Sequence, residues 1–174
     1  MQLYLAQVLG FGAVGLYLLS YQLKKRTQIV WATFFSNLFY VVQYFLLGAF
    51  SGAAMDILST VASLLAAGKH NPRFSRHTKW IVAGMVAVII GVGLAIAIIR
   101  GSWLELIPIG GAVSQSVGLW CDKEQTIRKL GLCGAPCWLI YNFLSQAYGS
   151  ALGSLFAIIS ILVSLVRYRK KSVC

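Results

Sequence analysis

Twenty consecutive residues, Trp80 to Ile99, carry no charge and no Asn, Gln, Ser or Thr. At 1.5 Å per residue such a run makes a helix of about 30 Å, the thickness of a bilayer's hydrocarbon core. Lys79 and Arg100 bracket it, and Trp80 stands where an interfacial aromatic belongs. No side chain in the run can line a polar path. Its expected role is topological: one transmembrane helix joining the segments before and after it.

The rest of the chain has the same character. Hydrophobic residues make up 59% of it, and only 15 basic and 4 acidic residues occur in 174, where a soluble domain averages about 25% charged residues. Uncharged runs cover 1–23, 27–55, 57–68, 80–99, 106–121 and 130–166. These imply a polytopic, all-α integral membrane protein. The net charge of +11 does not point to nucleic acid, because the basic residues stand in short clusters between apolar runs.

In chain order, residues 1–23 lack a basic leading region and are followed by Lys24, Lys25 and Arg26. They read as a first span with its N-terminus outside, not as a cleaved signal. Gly10, Gly12 and Gly15 are expected to admit a neighbouring helix. The second span runs from about Thr27 to Leu47, Gly48 to Gly52 turn the chain, and the third reaches about Ala67. A basic loop with Pro72 lies between Lys69 and Lys79. After the Trp80–Ile99 helix, the fifth span covers Trp103 to about Trp120. The sixth follows the charged segment Asp122–Lys129 and reaches about Ser145. Tyr148, Gly149 and Ser150 are expected to turn, and the seventh span ends at Val166. Fourteen Lys or Arg then fall on the side of the odd-numbered loops and the C-terminus, against Arg100 alone on the other. The positive-inside rule puts the C-terminus in the cytoplasm.

Shifting the chain by 98 residues lays 10–70 on 108–168 without a gap. Eight of 61 positions are identical, among them Gly12/Gly110, Lys25/Lys123 and Phe45/Phe143. The punctuation also coincides: Lys24–Arg26 falls on Asp122–Glu124, the turn at 48–52 on 146–150, and Lys69 on Arg167. The expected organisation is a three-helix unit over 1–68, a loop and linker helix over 69–100, a second unit over 101–168 and a basic tail over 169–174. One helix between two three-helix units makes the repeats parallel.

That 3+1+3 plan resembles the PQ-loop/SWEET class of small transporters. The paired segments Ser36-Asn37-Leu38-Phe39-Tyr40 to Gly48-Ala49 and Trp138-Leu139-Ile140-Tyr141-Asn142 to Ala147-Tyr148-Gly149 more closely resemble the bacterial inner-membrane YgjV family. The resemblance implies a bacterial inner (plasma) membrane location, with transport implied only through the wider class. The class carries a proline in the first and second helix of each unit. Here Pro108 and Pro136 hold those places in the second unit, as expected hinges, while Gly10 and Leu38 hold them in the first.

Polar residues inside spans are the candidates for a pathway, because hydrocarbon tolerates them only with partners. Thr33, Asn37, Tyr40 and Tyr44 form one helical stripe, and Gly52, Asp56, Ser59 and Ser63 another. Their counterparts at the 98-residue offset include Trp138 and Asn142 on the sixth span and Ser154 on the seventh. With Tyr141 beside Asn142, the candidate substrate-binding set is Asn37, Tyr40, Tyr44, Asp56, Ser59, Trp138, Tyr141, Asn142 and Ser154. The alternative is that these residues are helix-to-helix glue. Asp56, the one acidic residue inside a span, fits cation coupling, proton coupling or a substrate hydrogen bond, and equally a carboxylate reaching water at the outer end. Glu105 is expected at the outer interface.

Cys133 and Cys137, one turn apart, are expected to be buried thiols and not metal ligands, since no span contains His. No cofactor motif, catalytic cluster or metal-ligand spacing occurs, so an enzyme is not expected. The partners implied are the lipid bilayer and an unidentified small solute; a homo-oligomer is compatible with the sequence. The functional expectation is a carrier of a small polar solute, alternating access between the two units. A non-transporting scaffold or receptor with the same fold is the alternative.

Overall fold

The structure, a computed structural model, describes residues 2–69, 71, 76–145 and 147–169. His70, Pro72 and Cys174 lie outside the described residues. All the regular structure described is helical: α1 (Gln2–Gln22), α2 (Arg26–Leu47), α3 (Phe50–Ala67), α4 (Thr78–Arg100), a 3-10 turn (Trp103–Leu106), α5 (Ile107–Leu119), α6 (Glu124–Leu144) and α7 (Tyr148–Arg169).

The expected turns are shorter than the sequence suggested. Gly48 closes α2 in the left-handed conformation, φ 71°, which only glycine adopts without penalty. The Ala49 N–H returns to the Tyr44 carbonyl, and α3 begins at Phe50, so Gly52 is helical. Likewise α7 begins at Tyr148, and the residues expected to turn there form its first turn.

Five helices, α1 to α4 and α7, are long and apolar enough to cross a membrane. The other two fall short for separate reasons. At 13 residues, α5 is about 20 Å long, although the 3-10 turn ahead of it adds about 8 Å along the chain. In α6, Glu124, Arg128 and Lys129 occupy the first two turns and dilute an otherwise apolar helix.

α1, α2 and α3 pack in series, as do α5, α6 and α7. Contacts of α1 with α7 and of α3 with α5 join the two sets into a ring. α4 leans chiefly on α3, α5 and the 3-10 turn, burying only Ile89 and Gly93. The distribution of polarity is that of a protein in lipid. Large apolar side chains such as Phe11, Phe45, Phe143 and Phe156 face outward, while Ser36, Asn37, Gln43, Asp56, Gln115 and Asn142 are buried. Of the three glycines expected at close approach on α1, Gly10 alone serves: a Cβ there would lie 2.4 Å from the Gln43 amide, whereas Gly15 faces open space.

One end of the ring is tied by crossed cations. Arg26, at the start of α2, donates to the Leu119 carbonyl at 2.7 Å, to Cys121 at 3.1 Å and to Ala66 at 2.9 Å. Arg128, on α6, donates to the Tyr21 carbonyl at 3.2 Å and to Leu23 at 2.9 Å, and stacks over the Tyr168 ring. The acceptors correspond at the 98-residue offset: Tyr21 with Leu119, Leu23 with Cys121. The carbonyl between them is taken in each case too, Gln22 by the Tyr168 hydroxyl and Trp120 by Lys69. Helix C-termini present unpaired carbonyls and the negative end of the helix dipole. Each buried arginine therefore finds several acceptors without an acidic partner.

Candidate functional site

At the centre of the ring lies a cavity of about 20 Å³, room for one water-sized molecule. α1 contributes Tyr17, α2 Asn37, Tyr40 and Tyr44, and α3 Asp56; α5 contributes Gln115, α6 Ala135, Trp138 and Asn142, and α7 Ser154. α4 contributes nothing. These ten residues are five pairs at the 98-residue offset: Tyr17/Gln115, Asn37/Ala135, Tyr40/Trp138, Tyr44/Asn142 and Asp56/Ser154.

Each wall follows from helical periodicity. On α2, Asn37, Tyr40 and Tyr44 are one stripe, and the last two rings stack with centroids 6.1 Å apart and planes at 22°. On α6, Ala135, Trp138 and Asn142 repeat that spacing. Tyr44 donates to Asn142 Oδ1 at 2.7 Å, and Asn142 Nδ2 to Ser154 Oγ at 3.3 Å. Gln115 Nε2 donates to Asn37 Oδ1 at 3.1 Å, while Asn37 Nδ2 and the Trp138 indole N–H have no partner among the described residues.

Asp56 does not reach water at the outer end: it is 4% exposed and faces the cavity. The carboxylate sits on the inner stripe of α3, which turns Ile57 and Val61 outward instead. Glu105 is buried too, with Oε1 held at 3.0 Å by Arg100 Nε.

Beyond the cavity, away from the arginine clamps, a second layer of bonds crosses the ring. The Tyr141 hydroxyl meets Ser51 Oγ and receives the Gly52 N–H. Ser150 Oγ donates to Gln43 Oε1 at 3.3 Å. Gln43 corresponds to Tyr141, and Gly52 to Ser150, at the same offset.

Of the nine candidate residues, the structure brings seven to the cavity. Tyr141 lies in the second layer of bonds, and Ser59 is buried on α3 with its hydroxyl unpartnered. Tyr17 and Gln115 line the cavity without having been singled out for it. The 98-residue offset pairs them, and applying it to the first and fifth spans was the signal available. Pro108 is the second residue of α5, where a helix has no N–H bond to lose, directly behind the 3-10 turn. Pro136 is interior to α6. Cys133 is exposed and Cys137 half-buried, the latter with its sulfur against Gly110 of α5; they are not the buried pair expected.

Residues 4–172 match the family model Imp-YgjV, described as a bacterial inner membrane protein. The chain belongs to the Imp-YgjV family. A curated relative is the inner membrane protein YgjV of Escherichia coli strain K12, 27% identical over 111 residues, which is 64% of this chain. The match spans 55% of that relative. No solved structure matches the chain. Membership makes this an Imp-YgjV protein of the bacterial inner membrane; its ring of helices surrounds a cavity walled by aromatic rings, amides and one carboxyl.

Proposed function

We propose that the protein is a carrier of a small polar solute, in which α1–α3 and α5–α7 are two parallel units in a SWEET-like 3+1+3 arrangement. The observation that carries this is the five-pair composition of the cavity wall. Two repeats related by an axis along the membrane normal bring equivalent residues to that axis, and the Tyr44–Asn142 bond joins two such equivalents directly. A solute held there would lie between the arginine clamps and the Tyr141 and Gln43 bonds. Breaking one set while keeping the other gives alternating access. The fourteen-to-one distribution of basic residues favours the clamped end as cytoplasmic, with the N-terminus outside. No enzymatic step is part of this proposal.

A non-transporting scaffold is favoured by one observation: the Tyr44–Asn142–Ser154 chain is satisfied entirely within the protein. An unbiased metabolite uptake screen in reconstituted vesicles separates the two. Wild-type protein is expected to take up at least one solute, and Asn37→Leu to abolish that uptake with folding retained. A screen in which nothing crosses would leave the scaffold, whereas uptake unchanged in Asn37→Leu would keep a carrier and take Asn37 out of its path.

A further inference from the structure

We propose that the central cavity binds a small protonated amine, with Asp56 as its counter-charge and the rings of Tyr40, Tyr44 and Trp138 as its walls. That assignment deepens the carrier proposal and rests on it for the claim that the bound amine is cargo.

Asp56 is buried against the cavity, and its carboxyl has no hydrogen bond or ion pair to a described residue. The two ion pairs among those residues, Lys69–Asp122 and Arg100–Glu105, lie at helix ends. Among the described residues neither Lys, Arg nor His lines the cavity, and the buried arginines are engaged with carbonyls. Of the titratable groups lining the cavity with Asp56 among the described residues, α1 supplies Tyr17 and α2 supplies Tyr40 and Tyr44; Tyr141 of α6 meets α3 one turn away, at Ser51 and Gly52. A buried carboxylate without a counter-ion is costly, so a positive ligand relieves the site, whereas an anion would aggravate it.

The aromatic lining adds to the same preference, because rings attract cations to their faces and ammonium groups are recognised in this way. The wall is polarised as well. Within the Asp56/Ser154 pair, only the α3 member carries charge, and two of the four aromatic rings in the wall stand on neighbouring α2. A neutral sugar would need no such counter-charge. Asn37 Nδ2, unpartnered at the same cavity, offers a donor to an oxygen carried beside the nitrogen. Ammonium matches the present volume of about 20 Å³; an amino alcohol needs the ring to part.

The test is the unfolding temperature of the purified, detergent-solubilised full chain, titrated with ammonium, ethanolamine or choline chloride at constant ionic strength against sodium chloride. A ligand of the folded state raises the midpoint saturably. The expected result is such a rise for ammonium and ethanolamine, a smaller one for choline, and its loss in Asp56→Asn. Should that variant not fold, Tyr40→Ala is expected to fold and to bind roughly three- to tenfold more weakly. No rise above the sodium control would overturn the proposal, as would an equal rise in Asp56→Asn or a response to acid pH alone. Binding that persists where vesicles show no uptake would remove the carrier proposal and leave the amine site standing.

Discussion

Asn37 and Asn142 are both mid-helix amides, yet their surroundings give them different work. Asn142 engages both ends of its amide, with Tyr44 and Ser154; Asn37 uses its carbonyl on Gln115 and leaves its amino group without a partner. Their helical stripes were legible, because spacing alone puts Asn37, Tyr40 and Tyr44 on one face. Which amide would be satisfied from within was not, since that depends on the side chain opposite. Interhelical hydrogen bonds in membranes are worth about 0.6 kcal/mol on average. Asn142→Leu breaks two and strands the Tyr44 hydroxyl, so it is expected to lose about 1–2 kcal/mol of stability in reversible unfolding. Asn37→Leu breaks one and removes an unpartnered donor, so it should lose less. The reverse order would mean that Asn37, not Asn142, is the structural amide.

Among the helices, the arginine clamps were the least legible feature. Lys24–Arg26 and Lys123–Arg128 look like positive-inside flanks, and only the fold reveals that Arg26 and Arg128 turn inward onto the ends of α5 and α1. The arginines are not equivalent at the 98-residue offset; their acceptor carbonyls are, so an alignment of side chains could not find them. The Cys121 thiol reports on this end. Burial pushes it up from its ordinary value while Lys69 and Arg26 pull it down, and the thiolate is the reactive form. Removing Arg26 would by electrostatics alone slow labelling. In a background with the other three cysteines replaced by serine, Arg26→Gln is nevertheless expected to speed maleimide labelling of Cys121 about tenfold. That factor corresponds to about 1.4 kcal/mol of lost closure, close to the lower end of what one charged hydrogen bond contributes, about 1.5–3 kcal/mol. Slower labelling would mean that the clamp does not hold this end shut.

For the molecule as a whole, the apolar run of α4 was legible because nothing in it competes with lipid. α5 and α6 were harder, since a short helix behind a 3-10 turn and a helix with charged first turns both weaken the signal of a span. Their direction follows from contacts at the clamped end. Arg128 reaches the end of α1, Arg26 reaches Cys121, and Lys69 pairs with Asp122. The loops after α1, α3 and α5 therefore share one end of the ring. If α5 and α6 failed to cross, Lys123, Arg128 and Lys129 would change sides, and the basic asymmetry would fall from fourteen-to-one to eleven-to-four. Single cysteines in a cysteine-free background distinguish these cases. Lys25→Cys and Lys123→Cys, both exposed, are expected to react with an impermeant maleimide from the cytoplasmic face only, and Trp103→Cys, exposed before α5, from the outer face only. Lys123→Cys reacting together with Trp103→Cys would make α5 and α6 a re-entrant pair. The five pairs at the cavity would then need an origin other than two parallel units.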